Sequence, residues 1–162
     1  MHALRHAVTA TFLTAAVAAC ASAPVVIPAT AAPPPANPDA AIAEFIVLAN
    51  DARRTSGCDA PLIWHDGVAA VASGHSEDMR RRGYFDHVGP DGRTPMQRVQ
   101  AAGIAVRAVA ENIALGQPTG RAVFESWRDS PGHRRNMLNC EYTHHGVGLA
   151  GPYWTHVLIA PP

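Results

Sequence analysis

Apolar residues recur with a helical period through the first half of the chain and with a period of two near its end. Ile42, Phe45, Ile46 and Ala49 share one helical face, and Asn37-Pro38 supplies an N-cap and a first-turn proline. A helix is therefore predicted from Pro38 to just before Gly57. Pro61-Leu62-Ile63-Trp64 reads as a short apolar connector. Val68, Val71, Ala72, His75 and Met79 mark the inner stripe of a second helix, closed by Arg80, Arg81, Arg82 and Gly83. Cations in a last turn followed by glycine suit the helix dipole and a left-handed cap, so this basic run belongs to the helix end and not to a binding patch. Thr94-Pro95-Met96-Gln97 is a capping box that opens a third helix ending at Gly103. A fourth helix starts at Gly120, with Val123, Phe124 and Trp127 inward and Arg121 and Glu125 as an outer pair.

Strand signals come late, at Ile104 to Ile113, His145 to Ala150 and Tyr153 to Ile159. Gly151-Pro152 leaves too little chain for a crossover helix, so the last two strands must be antiparallel. The class is α+β, and a doubly wound parallel sheet is excluded.

Ahead of this domain the pattern changes. His2, Arg5 and His6 precede an uncharged run from Ala7 to Ala19 that ends in small residues, the form of an export signal over residues 1–19. Such a run makes only ~20 Å of helix against roughly 30 Å of hydrocarbon, too short for a permanent span. Two cleavage points compete. One follows Ala21-Ser22-Ala23, where Pro24 would hinder a standard signal peptidase. The other precedes Cys20 and resembles a lipobox, which makes Cys20 either a lipidated residue or a small apolar member of the signal helix. Residues 20–37, rich in Pro and Ala, read as an extended tether, and residues 38–162 as the domain.

The 13 basic residues, all arginines, balance 13 acidic ones, and the sequence pI is near 7.1. No basic patch for nucleic acid or an acidic membrane surface follows from that balance, so a membrane contact is expected only through a lipid on Cys20. With 48% apolar residues the chain can form a core of moderate size, in one domain and as a monomer. If Cys20 carries a lipid, Cys58 and Cys140 remain as an even pair, suited to a disulfide in an oxidising compartment; the other reading is two free buried thiols.

The chain has no His-Glu-x-x-His, Gly-x-Ser-x-Gly, phosphate loop or Cys-x-x-Cys. Its polar residues in ordered contexts are His75-Ser76-Glu77-Asp78-Met79, Tyr84-Phe85-Asp86-His87, Pro90-Asp91-Gly92, Glu111-Asn112-Ile113-Ala114, Trp127 with Ser130-Pro131-Gly132-His133-Arg134, and Gly146-Val147-Gly148. In this order the motifs resemble the bacterial branch of the CAP superfamily, the SCP domain of cysteine-rich secretory, antigen 5 and pathogenesis-related proteins. The resemblance runs from about Asn37 to Ile159. It implies a three-layer α-β-α sandwich with a central antiparallel sheet.

It also implies a cleft lined by two histidines and two glutamates. His87 matches the first histidine, Glu111 the first acid and His133 the second histidine. The second glutamate is replaced, since three residues after Trp127 stands Ser130. What remains, two imidazoles and a carboxylate, is a set able to hold a divalent cation such as zinc with positions left open, His87 and His133 being the expected ligands.

Each residue also has a plainer role. His75 lies on an apolar stripe, where a buried hydrogen bond is the simplest expectation, with cleft lining second. Ser130 before Pro131 reads as an N-cap, not a nucleophile. His87 could satisfy loop carbonyls and Glu111 backbone amides. His144, His145 and His156 read as a solvated strand end and an outer strand face, and Glu125 as a solvated helix charge. The function expected is an exported protein of the cell envelope, lipid-anchored or secreted. Its cleft binds a metal, a small ligand, a lipid or another envelope component. The alternative is a metal-assisted hydrolase or peptidase using His87, His133 and Glu111.

Overall fold

A computed structural model describes residues 37–162. The signal, Cys20 and nearly all of the tether lie outside the described residues. Five helices and four strands follow in the order α1 (Pro38–Thr55), β1 (Ile63–Trp64), α2 (Asp66–Arg82), α3 (Pro95–Ala101), β2 (Ala108–Leu115), α4 (Gly120–Asp129), α5 (Pro131–Leu138), β3 (His144–Ala150) and β4 (Tyr153–Ala160).

The strands form one sheet in the order β1-β3-β4-β2. β4 pairs antiparallel with β2 (Ala108 opposite Ala160) and with β3 (Ala150 opposite Tyr153). The expected connector at Ile63-Trp64 is instead a short strand, parallel to β3. Ile63 and His65 donate to the Thr143 and His145 carbonyls, and these bonds define it better than any periodicity could. The strand expected at Ile104–Ile113 begins only at Ala108. Gly103, at φ 74°, turns the chain out of α3, and Ile104 and Val106 then pack beside Val99 and Val157 as loop residues.

Helices cover both faces of the sheet. α2 and α3 pack on one, where Val68, Ala72, Val99, Val157 and Ile159 form a core. α1, α4 and α5 cover the other, around Phe45, Trp127, Met137, Val147 and Trp154. Strand alternation sorts the residues. On β4, Thr155, Val157 and Ile159 point to α2, whereas Trp154, His156 and Leu158 point away from it. On β2, Glu111 and Ile113 face α2, and Asn112 faces α5. The three-layer α-β-α arrangement expected from the resemblance is present.

The caps read at Asn37, Gly83 and Thr94 form as expected. Asn37 accepts from the Ala40 amide, and Thr94 and Gln97 complete their reciprocal box. Gly83, at φ 67°, returns its amide to the Met79 carbonyl after the three arginines. Ser130 stands at both the C-cap of α4 and the N-cap of α5, and it makes none of the side-chain capping bonds expected of it. Arg121 pairs with Glu44 of α1 at 3.7 Å, in place of the expected Glu125. Cys58 and Cys140 form a disulfide, with Cα atoms 5.3 Å apart. Beside it Arg53, only 2% exposed, donates to the carbonyls of Met137, Asn139 and Tyr142 at 2.8–3.0 Å and so ties α1 to the end of α5.

The largest departure concerns two histidines. His145 and His156, expected at solvated or outer positions, are fully buried on the α1 side, and Nδ1 of His145 lies 3.1 Å from Nε2 of His156. Phe45 meets His156 edge-on, and Trp127 stacks over it. β4 is buried at all eight of its positions, so its alternation has no outer face to give. His144 remains half-buried at the strand start, against Thr143.

Candidate functional site

Glu111 is the hub. β2 turns it toward α2, where its side chain is 1% exposed. Its Oε1 accepts from Nδ1 of His87 at 2.9 Å, and its Oε2 accepts from Nη2 of Arg98 at 2.7 Å. A buried carboxylate is costly unless paired and hydrogen-bonded, and here both oxygens are engaged. Arg98, on α3, also donates through Nη1 to the carbonyls of His87 and Arg93, each at 2.9 Å. One guanidinium thus holds the acid and the loop that carries His87.

His75 approaches from α2. Its Nε2 donates to the Asp86 carbonyl at 3.0 Å and lies 3.7 Å from Oε1 of Glu111. Burial pushes the imidazole below its ordinary pKa, outweighing the attraction of Glu111 at 3.7 Å. His75 thus makes a buried hydrogen bond and stands beside the central acid at the same time. Tyr84 adds a hydroxyl that donates to Asp78 at 2.8 Å, and burial raises the phenol's pKa.

His87 differs from the other two histidines. Its side chain is 46% exposed, and the hydrogen bond to Glu111 raises its pKa. His133, in the first turn of α5, is shifted the other way, first by burial and then by the charge on His87. The helix start that carries it is clamped to β2. Asn112 donates to the His133 carbonyl at 3.0 Å, and Asn136 donates to Oδ1 of Asn112 at 2.9 Å and to the Glu111 carbonyl at 3.3 Å. Nδ1 of His133 is buried without a partner. Ser130 makes no side-chain cap bond at the start of α5, and it serves as the terminus shared by two helices.

The fold thus gathers His75, His87 and Glu111 into one hydrogen-bonded group with His133 as an electrostatic neighbour. It does not arrange them as a three-ligand metal centre. Among the described residues no group of three or more His, Cys, Asp or Glu is placed to hold a metal ion. Both oxygens of Glu111 are already engaged, Oε1 by His87 and Oε2 by Arg98. His87, oriented through Nδ1 by a carboxylate, has the support usual for a metal-ligating imidazole, but with His133 it supplies two ligands and no third. Arg98, Asn112, Asn136 and Tyr84 carry no individual role in the sequence reading. Arg98 is one of 13 basic residues, and only the turn of α3 behind the Thr94 capping box hints at its direction.

The α-β-α frame has counterparts among known proteins. Residues 48–153 match the family described as CAP, the cysteine-rich secretory protein family, and the chain belongs to that family. It is 36% identical over 118 residues to "Uncharacterized protein YkwD" of Bacillus subtilis (strain 168), covering 72% of this chain and 46% of that protein. It is 40% identical over 100 residues to "Uncharacterized membrane protein YlbC" of the same organism, covering 62% of this chain and 29% of that protein. The chain thus matches less than half the length of either relative. Among solved structures, an extracellular protein containing a SCP domain from Bacillus anthracis str. Ames superposes with a TM-score of 0.71 at 32% identity, over 77% of this chain and 44% of that one. An outer surface protein from Borrelia burgdorferi shares the fold with a TM-score of 0.67 at 19% identity, over 73% of this chain and 90% of that one.

Proposed function

We propose that this chain is an exported envelope protein whose CAP domain binds a small ligand at the His87 and His133 face. The observation that carries the reading is the engagement of both Glu111 oxygens by His87 and Arg98. An acid so held orients His87 and favours its charged form, in which the half-exposed ring is a hydrogen-bond donor. Its natural complement is an acceptor group, a carboxylate or a phosphate. Export is supported by the Cys58–Cys140 disulfide and by the extracellular, outer-surface and membrane descriptions of similar proteins. Residues 1–19 as signal and Cys20 as lipid attachment point complete that picture.

Imidazole-detected NMR of the purified protein tests it, with acetate, inorganic phosphate and zinc as separate probes. Saturable shifts of the His87 ring with acetate or phosphate, lost in His87→Ala, are expected; flat titrations with both anions would sink the reading. Zinc should bind weakly, because two imidazoles lack a third ligand. Tight one-to-one zinc binding lost in both His87→Ala and His133→Ala would restore the metal centre.

One observation favours a second reading. His87 and His133 are shifted in opposite directions, the pattern of an acid and a base set apart by their surroundings. A hydrolase built on that pair would turn over peptide or ester substrates and lose turnover in Glu111→Gln. Absence of turnover by the wild-type protein on broad panels of both would remove it.

A further inference from the structure

A pocket of about 300 Å³ opens between α2, the loop after it and α3; it shares His75 and Arg98 with the Glu111 group, while His87 and His133 do not line it. That volume is at the lower end of ordinary small-molecule sites. Charge in its wall is plentiful but cancelled. Arg93 meets Asp91 at 3.1 Å, Arg82 meets Asp78 at 3.5 Å, and Arg98 is neutralised from behind by Glu111 at 2.7 Å. An anion or cation entering this space would have to compete with pairs already made. A neutral ligand that both donates and accepts loses nothing, because each paired carboxylate keeps spare lone pairs and each guanidinium spare N–H groups.

Gly74 supplies an independent observation. It sits in the middle of α2, where glycine costs about 1 kcal/mol relative to alanine. Gly146, Gly148 and Gly120 are required by close backbone contacts, but a Cβ built on Gly74 would meet nothing within 4 Å. No packing reason exists for its missing side chain, and Gly74 lines the pocket. A side chain there would project into the space a ligand would use. Val71, one turn earlier on the same helix, and the Tyr84 ring give this wall apolar surface beside the polar groups.

We infer that this pocket binds an uncharged polyhydroxylated ligand, a sugar residue, with Gly74 kept small to admit it and the Asp–Arg pairs bonding its hydroxyls. Neighbouring hydroxyls, each donor and acceptor at once, suit paired side chains of both kinds, and the C–H face of a sugar ring suits Val71 and Tyr84. The inference does not depend on the His87 reading, and His87→Ala should leave it intact.

Amide NMR of the full chain tests it, with N-acetylglucosamine as probe and glucosamine and glucuronate as its cationic and anionic counterparts. Saturable shifts at Gly74, Tyr84 and Asp91 are expected with N-acetylglucosamine, and affinity at least about tenfold weaker for both charged sugars. Gly74→Leu should abolish the shifts without lowering the melting temperature, which separates a blocked pocket from a damaged fold. Stronger binding of N-acetylglucosamine oligomers than of the monomer would identify a glycan chain as the source, and equal binding a free sugar. Absence of saturation with any neutral sugar, tighter binding of either charged sugar, or binding that survives Gly74→Leu would overturn the inference.

Discussion

Glu111 and His87 are joined by a 2.9 Å bond at the centre of the site. Because that bond is the first cause of the raised pKa of His87, Glu111→Gln should move the His87 titration, followed by imidazole NMR, to lower pH. An unmoved midpoint would show that another group charges the ring. The same variant leaves Arg98 without its anion and should cost about 3 kcal/mol in urea unfolding. The buried pair His145 and His156 acts on stability with a definite sign. Burial lowers the pKa of His145 to about 4 and that of His156 well below the ordinary value, with Arg53 adding to both shifts. In the unfolded chain both titrate near 6.5, so below that pH the unfolded state binds the extra protons. Stability is therefore full above pH 6.5 and is lost as pH falls toward about 4, by roughly 1.4 kcal/mol per pH unit for each histidine. His156→Leu should remove about half of this pair's contribution to the slope. Equal slopes in variant and wild type would mean that the pair is not the acid-sensitive element.

At the scale of elements, the helices were legible because each has a one-sided apolar stripe and a cap with its own chemistry, as Thr94 and Gln97 show. β1 was not, since two residues carry no period and both its side chains are exposed. The contact that fixes α2 on the sheet lies against β3, where Gly146 and Gly148 stand in for side chains. A Cβ at Gly148 would fall 2.2 Å from the Ser73 amide nitrogen, and one at Gly146 2.1 Å from that of Ala69. The obstructing atoms are backbone and cannot rotate away, so α2 itself would have to move. Gly148→Ala should destabilise the protein by about 3 kcal/mol or more in urea unfolding. It should also weaken the site, because the displaced helix carries His75. A change below about 0.5 kcal/mol would mean that the two layers are not in such close contact.

Across the whole molecule, the residues that carry the site were visible in the sequence only as separate motifs, and their resemblance to a family placed His87, Glu111 and His133 together. Arg98, Asn112 and Asn136 were not visible, because their roles arise where α3 and α5 close on β2 from opposite faces of the sheet, and nothing in the local pattern encodes that meeting. His145 and His156 depart from expectation for a related reason: a period of two tells which residues share a face, but not that both faces are covered. The Cys58–Cys140 pair, read from a count of three cysteines, joins the loop after α1 to the chain just beyond α5, across 82 positions of chain. Chain entropy alone assigns that closure up to about 4.5 kcal/mol. Arg53 clamps the same junction by three carbonyl bonds, so the native arrangement should survive loss of the disulfide while the unfolded state gains freedom. The double variant Cys58→Ser, Cys140→Ser should therefore show a markedly lower urea midpoint together with an unchanged His87 titration. A shifted His87 titration would mean that the disulfide shapes the site, and an unchanged midpoint that the unfolded chain already holds these segments close.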